Sequence, residues 1–581
     1  MEAMDTETIN RLGHGEACLI VRTMMDGVGT DFKEFPQSWD DIFNFLAAYV
    51  RTDGEMGKYC CWNMDFDAKA IANEHFLPWR EVEKLGIYGA CRVGEYRFRY
   101  IPGKYFSCIN GKLSFQLYDV CQFYGCSLRA AAAKHGLSEQ KEDIPAAWYR
   151  CMDRVLRKPD SRAKVLEYAA RDAQITYRLW SRLQDEFERY GLGFTSPISP
   201  GNLAGKYYAD SFAASRSTKL VNNEFAPSLY GGRVEVYTMG RVGKCSMYDI
   251  RSAYPWAIST LPKVVDGRLR MGRVPNPSAI FGCYRVQVDC PVMLLGPLAV
   301  RRRDGVVVYP IGRFRTICGK QGLMLLEKRK IPFKVERCVE WLGQTDGPLF
   351  PDIHQLYASK SGAGGWAAKL ILNSIYGKLC ERVDRYIPNE LLDDLPSRAI
   401  RRDRYGPLAS MPYAAHITEM VRLRLWETMM GLWDIPGTEV YMTATDSILT
   451  NGEIPGIGDG MGMWSRKEYL AAEIYGCGRY VLYPLPGEND GNPIIRIRGF
   501  DCTAENLSRI QSAKRSTMLR VFRTMSLREW SRAGCLADAN VLQNYRRQFR
   551  SEDCKRYWPG KRMKLVEYGE QRRESLPWIY V

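Results

Sequence analysis

DIRSAYP at 249–255, KLILNSIYG at 369–377 and TATDS at 443–447 follow one another in an order that random composition would rarely produce. Asp249 stands at the end of an apolar run that then turns through Tyr-Pro, and Asp446 stands at the tip of a second apolar run. This pattern is typical of two strands that each deliver a carboxylate into a cleft. Nucleotidyl transfer uses carboxylates from neighbouring strands to hold two metal ions. The first and last motifs therefore indicate a nucleotidyl-transfer site.

The middle motif predicts a stripe of functional side chains on one helix. Lys369, Asn373 and Tyr376 fall at i, i+4 and i+7, so all three lie along one face. A cation, an amide and an aromatic ring in one line can grip a triphosphate and a base. We therefore expect the three motifs to meet around a nucleotide.

The composition indicates a folded protein with a polyanionic partner. The 581-residue chain carries 82 Lys and Arg against 66 Asp and Glu, a net charge of +16 that favours nucleic acid. Its 46% of hydrophobic residues excludes a disordered basic tail, and its length predicts several domains. No apolar stretch is long enough to span a bilayer, and the acidic N-terminus is unlike a signal peptide. We expect a cytoplasmic protein with no membrane partner.

The cysteine and histidine patterns argue against zinc. None of the 18 cysteines forms a C-x-x-C pair, and the five histidines are scattered along the chain. Zinc-ligand spacing is therefore absent, and the thiols are expected to be reduced. Histidine-based acid–base or nucleophilic catalysis is disfavoured for the same reason.

A second set of acidic residues lies near the N-terminus. Asp5 and Glu7 form a D-x-E pair, Asp67 ends the segment NMDFD, and Asp172 ends the segment YAARD. Four carboxylates could clamp two metal ions. Tyr168 and Asp172 are spaced i and i+4, hence on one face of a helix, with Tyr168 placed to orient a water. The ordered series predicts a second active site.

Gly and Pro residues divide the chain. GLGFTSPISPG (191–201) ends a long helical pattern that runs from about 161 to 190, which places a domain junction there. Upstream, short β-like runs precede helices, as in an α/β domain. Downstream, segments at about 259–351 and 380–410 interrupt the nucleotidyl-transfer motifs, and a tail rich in Arg and aromatic residues begins at about 527.

The three opening motifs resemble motifs A, B and C of family B DNA polymerases, whose usual forms are D-x-x-S-L-Y-P, K-x-x-x-N-S-x-Y-G and Y-x-D-T-D-S. SLYGGR (228–233) is similar to the Y-x-G-G segment that links exonuclease and polymerase regions, and ITEMVR (417–422) is similar to a T-x-x-G-R-type primer-contacting motif. The acidic series looks like the Exo I, II and III motifs of the 3′–5′ exonuclease in the same family. The resemblance covers essentially the whole chain.

The resemblance implies roles for the polymerase residues. Asp249 and Asp446 would be the catalytic carboxylates and metal ligands. Tyr254 would be the steric gate, because a ring beneath the incoming sugar clashes with a 2′-hydroxyl, the group that distinguishes RNA from DNA. Further contacts to the phosphates and base of the nucleotide would come from Lys369, Asn373, Tyr376 and Lys360.

The resemblance also implies contacts to DNA. Asn63 and Phe66 would touch the frayed primer end, where stacking gives sequence-tolerant affinity. Ser127-Leu128 is similar to a pair that contacts single-stranded DNA, and Lys141 begins a K-x-x-hydrophobic motif. The other implied DNA contacts are Tyr230, Gly231, Gly232, Thr418, Arg422, Arg479 and Tyr480. At the last two residues, the lysine of the usual K-x-Y motif is lost.

The implied fold is a multidomain α/β (α+β) fold: an RNase H-like exonuclease domain followed by a right-hand polymerase with palm, fingers and thumb. The implied cofactor is Mg²⁺, two ions at each active site, with Mn²⁺ as an alternative. In the exonuclease the metal ligands would be Asp5, Glu7, Asp67 and Asp172, with Tyr168 as a further catalytic residue. The implied partners are primer–template DNA and dNTPs.

The two interrupting segments sit where protein-primed members of the family, from tailed phages and linear plasmids, carry terminal-protein-region insertions. The resemblance therefore implies a terminal protein as primer and replication of a viral or linear-plasmid genome, in the host cytoplasm or, for a linear plasmid, in mitochondria. The implied domains are exonuclease (1–190), first palm part (191–258), first insertion (259–350), fingers (351–379), second insertion (380–410), second palm part (411–526) and thumb (527–581).

Position 444 departs from the family pattern. Where motif C normally has two aspartates flanking a Thr, this chain reads Ala444-Thr445-Asp446. Asp249 and Asp446 could still hold both metal ions. Two alternatives stay open: a catalytically impaired, polymerase-like DNA-binding protein, and a family B polymerase that uses ordinary nucleic-acid primers.

Overall fold

The structure is a computed structural model that describes residues 1–8, 15–24, 27–47, 57–73, 75–138, 141–193, 198–362, 365–387, 400–512, 516–524, 527, 542–550, 555–558 and 573–580. Within these ranges the larger sheets have eight, nine and five strands, with helices packed against them. The mixed, multidomain α/β class predicted from the sequence is therefore confirmed. No helix in the described ranges is long and apolar enough to cross a membrane.

The N-terminal region is built on the eight-stranded sheet, whose order is β3-β2-β1-β4-β8-β7-β6-β5, with β1, β4 and β8 parallel to one another. Its elements are β1 (Glu2–Thr8), β2 (Ala17–Thr23), β3 (Thr30–Glu34), α1 (Trp39–Ala47), β4 (Gly57–Cys61), α2 (Met64–Ile71), α3 (Trp79–Tyr88), β5 (Ala90–Val93), β6 (Tyr96–Ile101), β7 (Tyr105–Asn110), β8 (Leu113–Asp119), α4 (Cys121–Tyr124), α5 (Leu128–Lys134), α6 (Met152–Leu156) and α7 (Pro159–Glu188).

Helix α7 packs on strands β1 and β2 at the middle of this sheet. It begins at Pro159, where the missing proline N–H costs no helical hydrogen bond. Buried residues recur along it at helical spacing, from Val165 through Tyr168 and Asp172 to Phe187. The long helix predicted over about 161–190 is confirmed, and it carries Tyr168 and Asp172 to strand β1.

The next region supplies part of the nine-stranded sheet and all but one strand of the five-stranded sheet. Its elements are α8 (Pro200–Tyr207), α9 (Ala209–Ala214), α10 (Lys219–Phe225), β9 (Arg233–Val236), β10 (Thr238–Val242), β11 (Cys245–Ile250), α11 (Ala253–Ser259), β12 (Pro262–Gly272), β13 (Phe281–Cys290), β14 (Val300–Arg301), β15 (Val307–Val308), β16 (Ile311–Gly319), α12 (Lys320–Lys328) and β17 (Phe333–Pro348).

The remaining elements complete both sheets. They are α13 (Ile353–Ala358), α14 (Gly365–Leu379), β18 (Arg382–Ile387), β19 (Ile400–Tyr405), α15 (Met411–Trp433), β20 (Val440–Thr445), β21 (Ser447–Thr450), β22 (Trp464–Gly476), β23 (Arg479–Pro484), β24 (Ile494–Ile497), α16 (Ala504–Ser512), β25 (Ser516–Thr524), β26 (Leu542–Arg550), β27 (Arg573–Glu574) and β28 (Ile579–Tyr580).

The nine-stranded sheet, called here the central sheet, has the order β24-β23-β22-β11-β21-β20-β9, and β10 pairs with both β22 and β27. Helix α15 packs against α10, α11 and α12 and against strand β20. Its side chains are buried nearly all round, from Met411 to Leu432, which marks a core helix. Strand β11 thus lies in the interior of the sheet, with β22 and β21 on either side.

The five-stranded sheet, called here the insertion sheet, has the order β12-β17-β13-β16-β28 and lies within the predicted first insertion except for its last strand. Strand β28 pairs parallel with β16, and β27 pairs with β10 of the central sheet. The described end of the chain therefore ties the two sheets together. The predicted thumb, 527–581, lies mostly outside the described residues, as does 388–399 of the second insertion, which β18 and β19 flank as a hairpin.

Two candidate active sites

Asp249 and position 444 lie in one row across the central sheet. Asp249 on β11 is opposite Ser447 on β21, and Ser447 is opposite Ala444 on β20. Directly opposed residues of antiparallel strands point to the same face of a sheet. The Ala444 methyl therefore stands on the same face as the Asp249 carboxylate, two strands and about 10 Å away. A carboxylate at position 444 would have belonged to this row.

Asp446 occupies the turn between β20 and β21. Thr445 has a φ of 63°, and the Asp446 N–H donates to the Ala444 carbonyl at 2.7 Å. The Asp446 carbonyl accepts a hydrogen bond from the Ile250 N–H at 2.9 Å. This bond ties the turn to the end of β11, so Asp446 and Asp249 lie side by side.

The two carboxylates repel each other. Burial raises the pKa of Asp446 to about 6, and the negative charge of Asp249 adds to the rise. Partial desolvation raises the pKa of Asp249, and the guanidinium of Arg251 opposes that rise. Carboxylate oxygens are the donors that Mg²⁺ and Mn²⁺ prefer, and a cation between them would remove the repulsion. The chemistry of this pair therefore fits the metal ions that the sequence implies.

Tyr254 and Tyr376 bring the first and second motifs together. Their rings stack with centroids 4.7 Å apart and an interplanar angle of 26°. Burial raises the pKa of Tyr254, and the charge of Asp446 adds to the rise, which places the ring near that carboxylate. All three motifs therefore meet at one place, with two aromatic rings beside two carboxylates.

Two lysines lie near one another on the α14 side of this site. Lys360, just after α13, donates from Nζ to Ser252 Oγ at 2.8 Å. Lys369 and Asn373 are exposed on one face of α14, and Gly377 continues that face one turn further. Burial lowers the pKa of Lys360, and the positive charge of Lys369 lowers it further. An anion placed between the two lysines would be bound favourably.

Several of the implied DNA contacts are buried. Thr418 is fully buried, and its hydroxyl donates to the Ala415 carbonyl of its own helix at 3.2 Å. Arg422 is also buried, and its Nη1 donates to the carbonyls of Tyr230 at 2.7 Å and Gly231 at 3.1 Å. In this arrangement the Arg422 side chain holds the Y-G-G segment on α15, and the Thr418 hydroxyl bonds within its own helix. These contacts position the two side chains in the core, and their direct contact with DNA stays a prediction.

Gly232 has a different role from the two residues before it. A Cβ at this position would lie 2.9 Å from the Cα of Thr445, in the turn that carries Asp446. Glycine is therefore required for the close approach of β9 to that turn. The Y-G-G segment thus packs against the turn that carries Asp446.

Tyr480 and Arg479 begin strand β23. Burial raises the pKa of Tyr480, the charge of Arg496 opposes the rise, and the charge of Asp249 adds to it. Tyr480 therefore lies within electrostatic range of the carboxylate pair. The Arg479 guanidinium lies 5.9 Å from the centroid of the Phe500 ring.

The second site is formed where β1, α2 and α7 meet. Asp5 and Glu7 lie on β1, Asp67 lies in the first turn of α2, and Asp172 lies on α7. The hydroxyl of Thr6 donates to Asp67 Oδ1 at 2.8 Å, which links α2 to β1. Glu7, Asp67 and Asp172 are buried, and Asp5 is half-buried. These elements therefore bring the four predicted carboxylates into one region, where their charges interact.

These carboxylates are tightly coupled. Burial raises the pKa of Asp5 to about 7, with a further rise from Asp172. Burial also raises the pKa of Glu7 well above its usual value, and Asp5 and Asp172 add to that rise. Asp67 Oδ2 and Asp172 Oδ1 are buried without a hydrogen-bond partner. Unpaired anionic oxygens of this kind are costly to bury and are suited to a metal ion.

Lys141 and two tyrosines complete the cluster. Lys141 Nζ donates to Asp172 Oδ2 and, at 3.1 Å, to the hydroxyl of Tyr168, which also accepts from the Tyr149 hydroxyl at 3.2 Å. Burial alone would lower the pKa of Lys141, but the Asp172 carboxylate raises it. Lys141 thus supplies positive charge to the four carboxylates.

Neither site gathers three ligands for one ion. Across the described ranges, no three His, Cys, Asp or Glu side chains are arranged so that they could hold a metal ion. On the central sheet, Ala444 accounts for the absence, because its row supplies only Asp249 beside Asp446. The individual donors fit Mg²⁺ or Mn²⁺ at both sites.

The predicted contacts to single-stranded DNA divide into two kinds. Asn63, with a φ of 68°, and Phe66 are half-buried at the start of α2, beside Asp67. Ser127 caps α5 by accepting the Ala130 N–H at 3.3 Å, and Leu128 is buried in an apolar cluster. Asn63 and Phe66 thus lie beside the carboxylates, Ser127 is exposed at the start of α5, and Leu128 packs in the core; their contacts to DNA stay predictions.

The structure adds residues that the motifs did not indicate. Asp119 ends β8 and accepts the N–H groups of Asn63 at 3.3 Å and Cys121 at 2.9 Å, so it fixes the left-handed backbone at Asn63. Tyr149 bonds to Tyr168, and Arg251 lies near the carboxylate pair. An Asp at the end of an apolar strand, as at position 119, was the available signal for the first of these.

The fold has clear relatives among solved structures. The chain is similar to Phi29 DNA polymerase complexed with primer-template DNA and incoming nucleotide substrates, with a TM-score of 0.67 and 16% identity over 95% of this chain and 100% of that chain. It is similarly matched to an orthorhombic crystal form of Phi29 DNA polymerase, with a TM-score of 0.68 and 15% identity over the same shares. The protein thus has the same fold as these structures.

Residues 153–387 match the family model described as DNA polymerase type B, organellar and viral. No curated protein matches the chain.

Proposed function

We propose that this protein is a DNA polymerase that carries a proofreading 3′–5′ exonuclease, starts synthesis on a terminal protein, and replicates a viral or linear-plasmid genome. One observation carries the proposal: two separate sheets each present a cluster of mutually repelling carboxylates, one beside a tyrosine stack and one beside a lysine and a tyrosine pair. Polymerisation and proofreading are the two metal-dependent reactions that such a pair of sites supports.

In the proposed polymerase site, Asp249 and Asp446 hold divalent ions, Mg²⁺ or Mn²⁺. When bound, such ions lower the pKa of the attacking 3′-hydroxyl and neutralise the leaving pyrophosphate. Tyr254 lies under the incoming sugar and excludes a 2′-hydroxyl. Lys369 and Lys360 bind the triphosphate, and Tyr376 packs on the new base pair.

In the proposed exonuclease site, the four carboxylates hold the ions and Tyr168 orients the attacking water. Lys141 holds both the Tyr168 hydroxyl and the Asp172 carboxylate, so it fixes the geometry of the pair. Asn63 and Phe66 receive the frayed primer end. The Phi29 structures to which the chain is similar hold primer-template DNA and, in another case, single-stranded DNA.

Protein priming is supported by the two insertions. The first forms its own sheet over 262–348, and the hairpin of β18 and β19 flanks the second. Incubation of the protein with labelled dNTP and a candidate terminal protein is expected to give a covalent protein–nucleotide adduct. The proposal includes the seven domains with the boundaries given above, and a site of action in the host cytoplasm.

The direct test of the polymerase site is primer extension with Mg²⁺. The wild-type protein is expected to extend a labelled primer, and Asp446→Asn to lose extension. The second test uses a 5′-labelled single-stranded oligonucleotide, which the wild type should shorten from its 3′ end and Asp5→Ala with Glu7→Ala should leave intact. Full extension by Asp446→Asn would refute the assignment of the site.

A second candidate function is a catalytically impaired DNA-binding protein. It is favoured by Ala444, which stands in the same row as Asp249 and offers only a methyl group. Primer extension by the wild type separates the two functions. If neither the wild type nor Ala444→Asp extends a primer, the polymerase hypothesis fails and binding remains.

A further inference from the structure

Arg251 stands two residues after Asp249 and joins the palm to the loop that precedes β22. Its Nη2 lies 3.0 Å from Asp459 Oδ1, and its Nε donates to the Gly458 carbonyl at 2.7 Å. The hydroxyl of Tyr357, on α13, donates to the Asp459 carbonyl at 2.7 Å. Arg251 is therefore linked to the fingers through one residue of the loop.

Lys360 closes this set of contacts into a ring. Its ammonium lies 4.8 Å from the centroid of the Tyr357 ring and donates to Ser252 Oγ at 2.8 Å, next to Arg251 in the chain. The ring runs from Arg251 through Asp459, Tyr357 and Lys360 back to Ser252. It holds a guanidinium and an ammonium in fixed places at the junction of palm and fingers.

The positive charges at this junction are incompletely balanced. Lys360 feels the charges of both Lys369 and Arg251, which together with burial lower its pKa. The acid in the ring, Asp459, has a side chain that is 98% exposed, so water screens its attraction. The Arg251 side chain is itself 40% exposed and accessible to a ligand. Three crowded cations are stabilised by a polyanion.

Arginine is well suited to such a ligand. Its planar fork binds phosphate oxygens in a bidentate manner, which a lysine cannot do. Nucleotidyl transfer brings a triphosphate to the side of the carboxylate pair from which Lys360 and Lys369 approach. Arg251 lies on that side, adjacent to Ser252.

We infer that Arg251 is a third cationic ligand of the incoming nucleotide's triphosphate, acting with Lys360 and Lys369. This inference rests on the proposed polymerase function. The ion pair with Asp459 orients the guanidinium before the nucleotide arrives, and the triphosphate competes with Asp459 for it.

The competing explanation is that Arg251 only anchors the loop. In that case removing Asp459 would reproduce most of the effect of Arg251→Ala, because Asp459 is the charged partner of Arg251, and the bond to the Gly458 carbonyl would account for the remainder. The backbone bond from the Gly462 N–H to the Arg251 carbonyl, 2.8 Å, would remain in every variant. Removing Asp459 is therefore the matched control.

The test measures equilibrium binding of a dNTP to the protein on a primer–template whose primer ends in a dideoxynucleotide. No chemistry is needed, so the result stands whether or not the wild type extends a primer. Arg251→Ala is expected to weaken binding roughly tenfold or more, the worth of one charge-assisted hydrogen bond. The dNTP affinity of Arg251→Lys should lie between those of the wild type and Arg251→Ala. Asp459→Ala should bind the dNTP as tightly as the wild type or more tightly.

Inorganic triphosphate provides the second readout, as a competitor of the dNTP. Its inhibition constant should rise in Arg251→Ala by about the same factor as the dNTP dissociation constant, because the contact is to phosphate alone. Equal dNTP binding by the wild type and Arg251→Ala would overturn the inference. So would an equal loss in Asp459→Ala and Arg251→Ala, which would identify Arg251 as a loop anchor.

Discussion

At the scale of single residues, Ala444 has the largest consequence. It faces the same side of the sheet as Asp249, with Ser447 between them, and Asp446 is the adjacent carboxylate at the turn. One side chain thus separates a two-carboxylate site from a three-carboxylate site. The charge at position 444 sets how strongly the central sheet can hold cations.

Ala444→Asp is expected to strengthen metal binding. The Mg²⁺ concentration for half-maximal primer extension should fall about tenfold or more, as expected when an oxygen ligand is added. In EDTA the same variant should melt at a lower temperature than the wild type, because a third carboxylate adds repulsion. Ala444→Asn, which adds similar volume without charge, should show neither effect. A Mg²⁺ requirement unchanged by Ala444→Asp would exclude position 444 from the site.

Tyr254 is expected to set sugar selectivity. Tyr254→Val should raise incorporation of ribonucleotides relative to deoxynucleotides roughly tenfold or more, the scale of a pocket enlarged by several carbon atoms. Tyr254→Phe keeps the ring that stacks on Tyr376 and should retain discrimination. Single-nucleotide extension with paired rNTP and dNTP measures the ratio. An unchanged ratio in Tyr254→Val would contradict the steric-gate role.

At the scale of elements, helix α14 connects the site on the central sheet to the N-terminal region. Its first turn carries Trp366, whose ring centroid lies 4.4 Å from that of Tyr124 and 4.9 Å from that of His135, both in the N-terminal region. Further along, the helix carries Lys369 and Tyr376 of the proposed nucleotide site. Helix α14 is therefore docked on the N-terminal region by an aromatic cluster.

Trp366→Ala is expected to loosen this docking. The half-buried ring leaves a gap beside Tyr124, and the loss of stability should be about 1–3 kcal/mol, below the value for a fully buried Trp. Amide hydrogen exchange within 365–379 should accelerate, because the helix loses its contact with the N-terminal region. Trp366→Phe, which keeps an aromatic ring, is the control. Equal exchange in Trp366→Ala and the wild type would show that the cluster does not hold the helix.

At the scale of the whole molecule, a buried ion-pair network joins the chain's end to the central sheet. Arg233 pairs with Glu235 at 2.6 Å, and Arg556 pairs with the same carboxylate at 3.3 Å. All three side chains are at most 2% exposed. Arg556 also donates to the Leu294 carbonyl near the insertion sheet, at 3.1 Å. Residues more than 300 positions apart in the chain therefore share one buried charge network.

Glu235→Gln is expected to destabilise the protein strongly. Removing the carboxylate charge leaves two buried guanidinium groups without their counter-ion, a cost of about 3–5 kcal/mol. Chemical denaturation measures the change in free energy of unfolding. Glu453→Gln, which removes an exposed partner of Arg466, should have little effect. A near-neutral Glu235→Gln would contradict the importance of the network.

The same network predicts a pH dependence of stability. Burial would raise the pKa of Glu235, but Arg233 and Arg556 hold it below its usual value of 4.5. Because the folded pKa is the lower one, the stabilisation is complete above pH 4.5 and is lost as the pH falls through the folded pKa. When unfolding midpoints are measured between pH 6 and pH 3, the midpoint of the wild type should therefore decrease more steeply with decreasing pH than that of Glu235→Gln.

The motifs predicted the local features of the two sites well. Hydrophobic periodicity and the positions of Gly and Pro depend on near neighbours in the chain. They predicted helix α7, the stripe of Lys369 and Asn373 on α14, and the mixed α/β class. The motifs did not predict how far the residues implied to contact DNA are buried. Thr418 and Arg422 match a DNA-contacting motif, yet packing of α15 in the core buries both.

Spacing along the chain was enough to locate Asp249 and Asp446 at strand ends and Lys369, Asn373 and Tyr376 on one helix, whereas Tyr254 and Lys360 were indicated by the family resemblance. The folded chain alone brought Asp249, Ser447 and Ala444 into one row, since strand register joins positions nearly 200 residues apart. It also brought Arg251, Asp459, Tyr357 and Lys360 into a ring. Side chains that act together across such distances are set by tertiary packing, which no local pattern encodes.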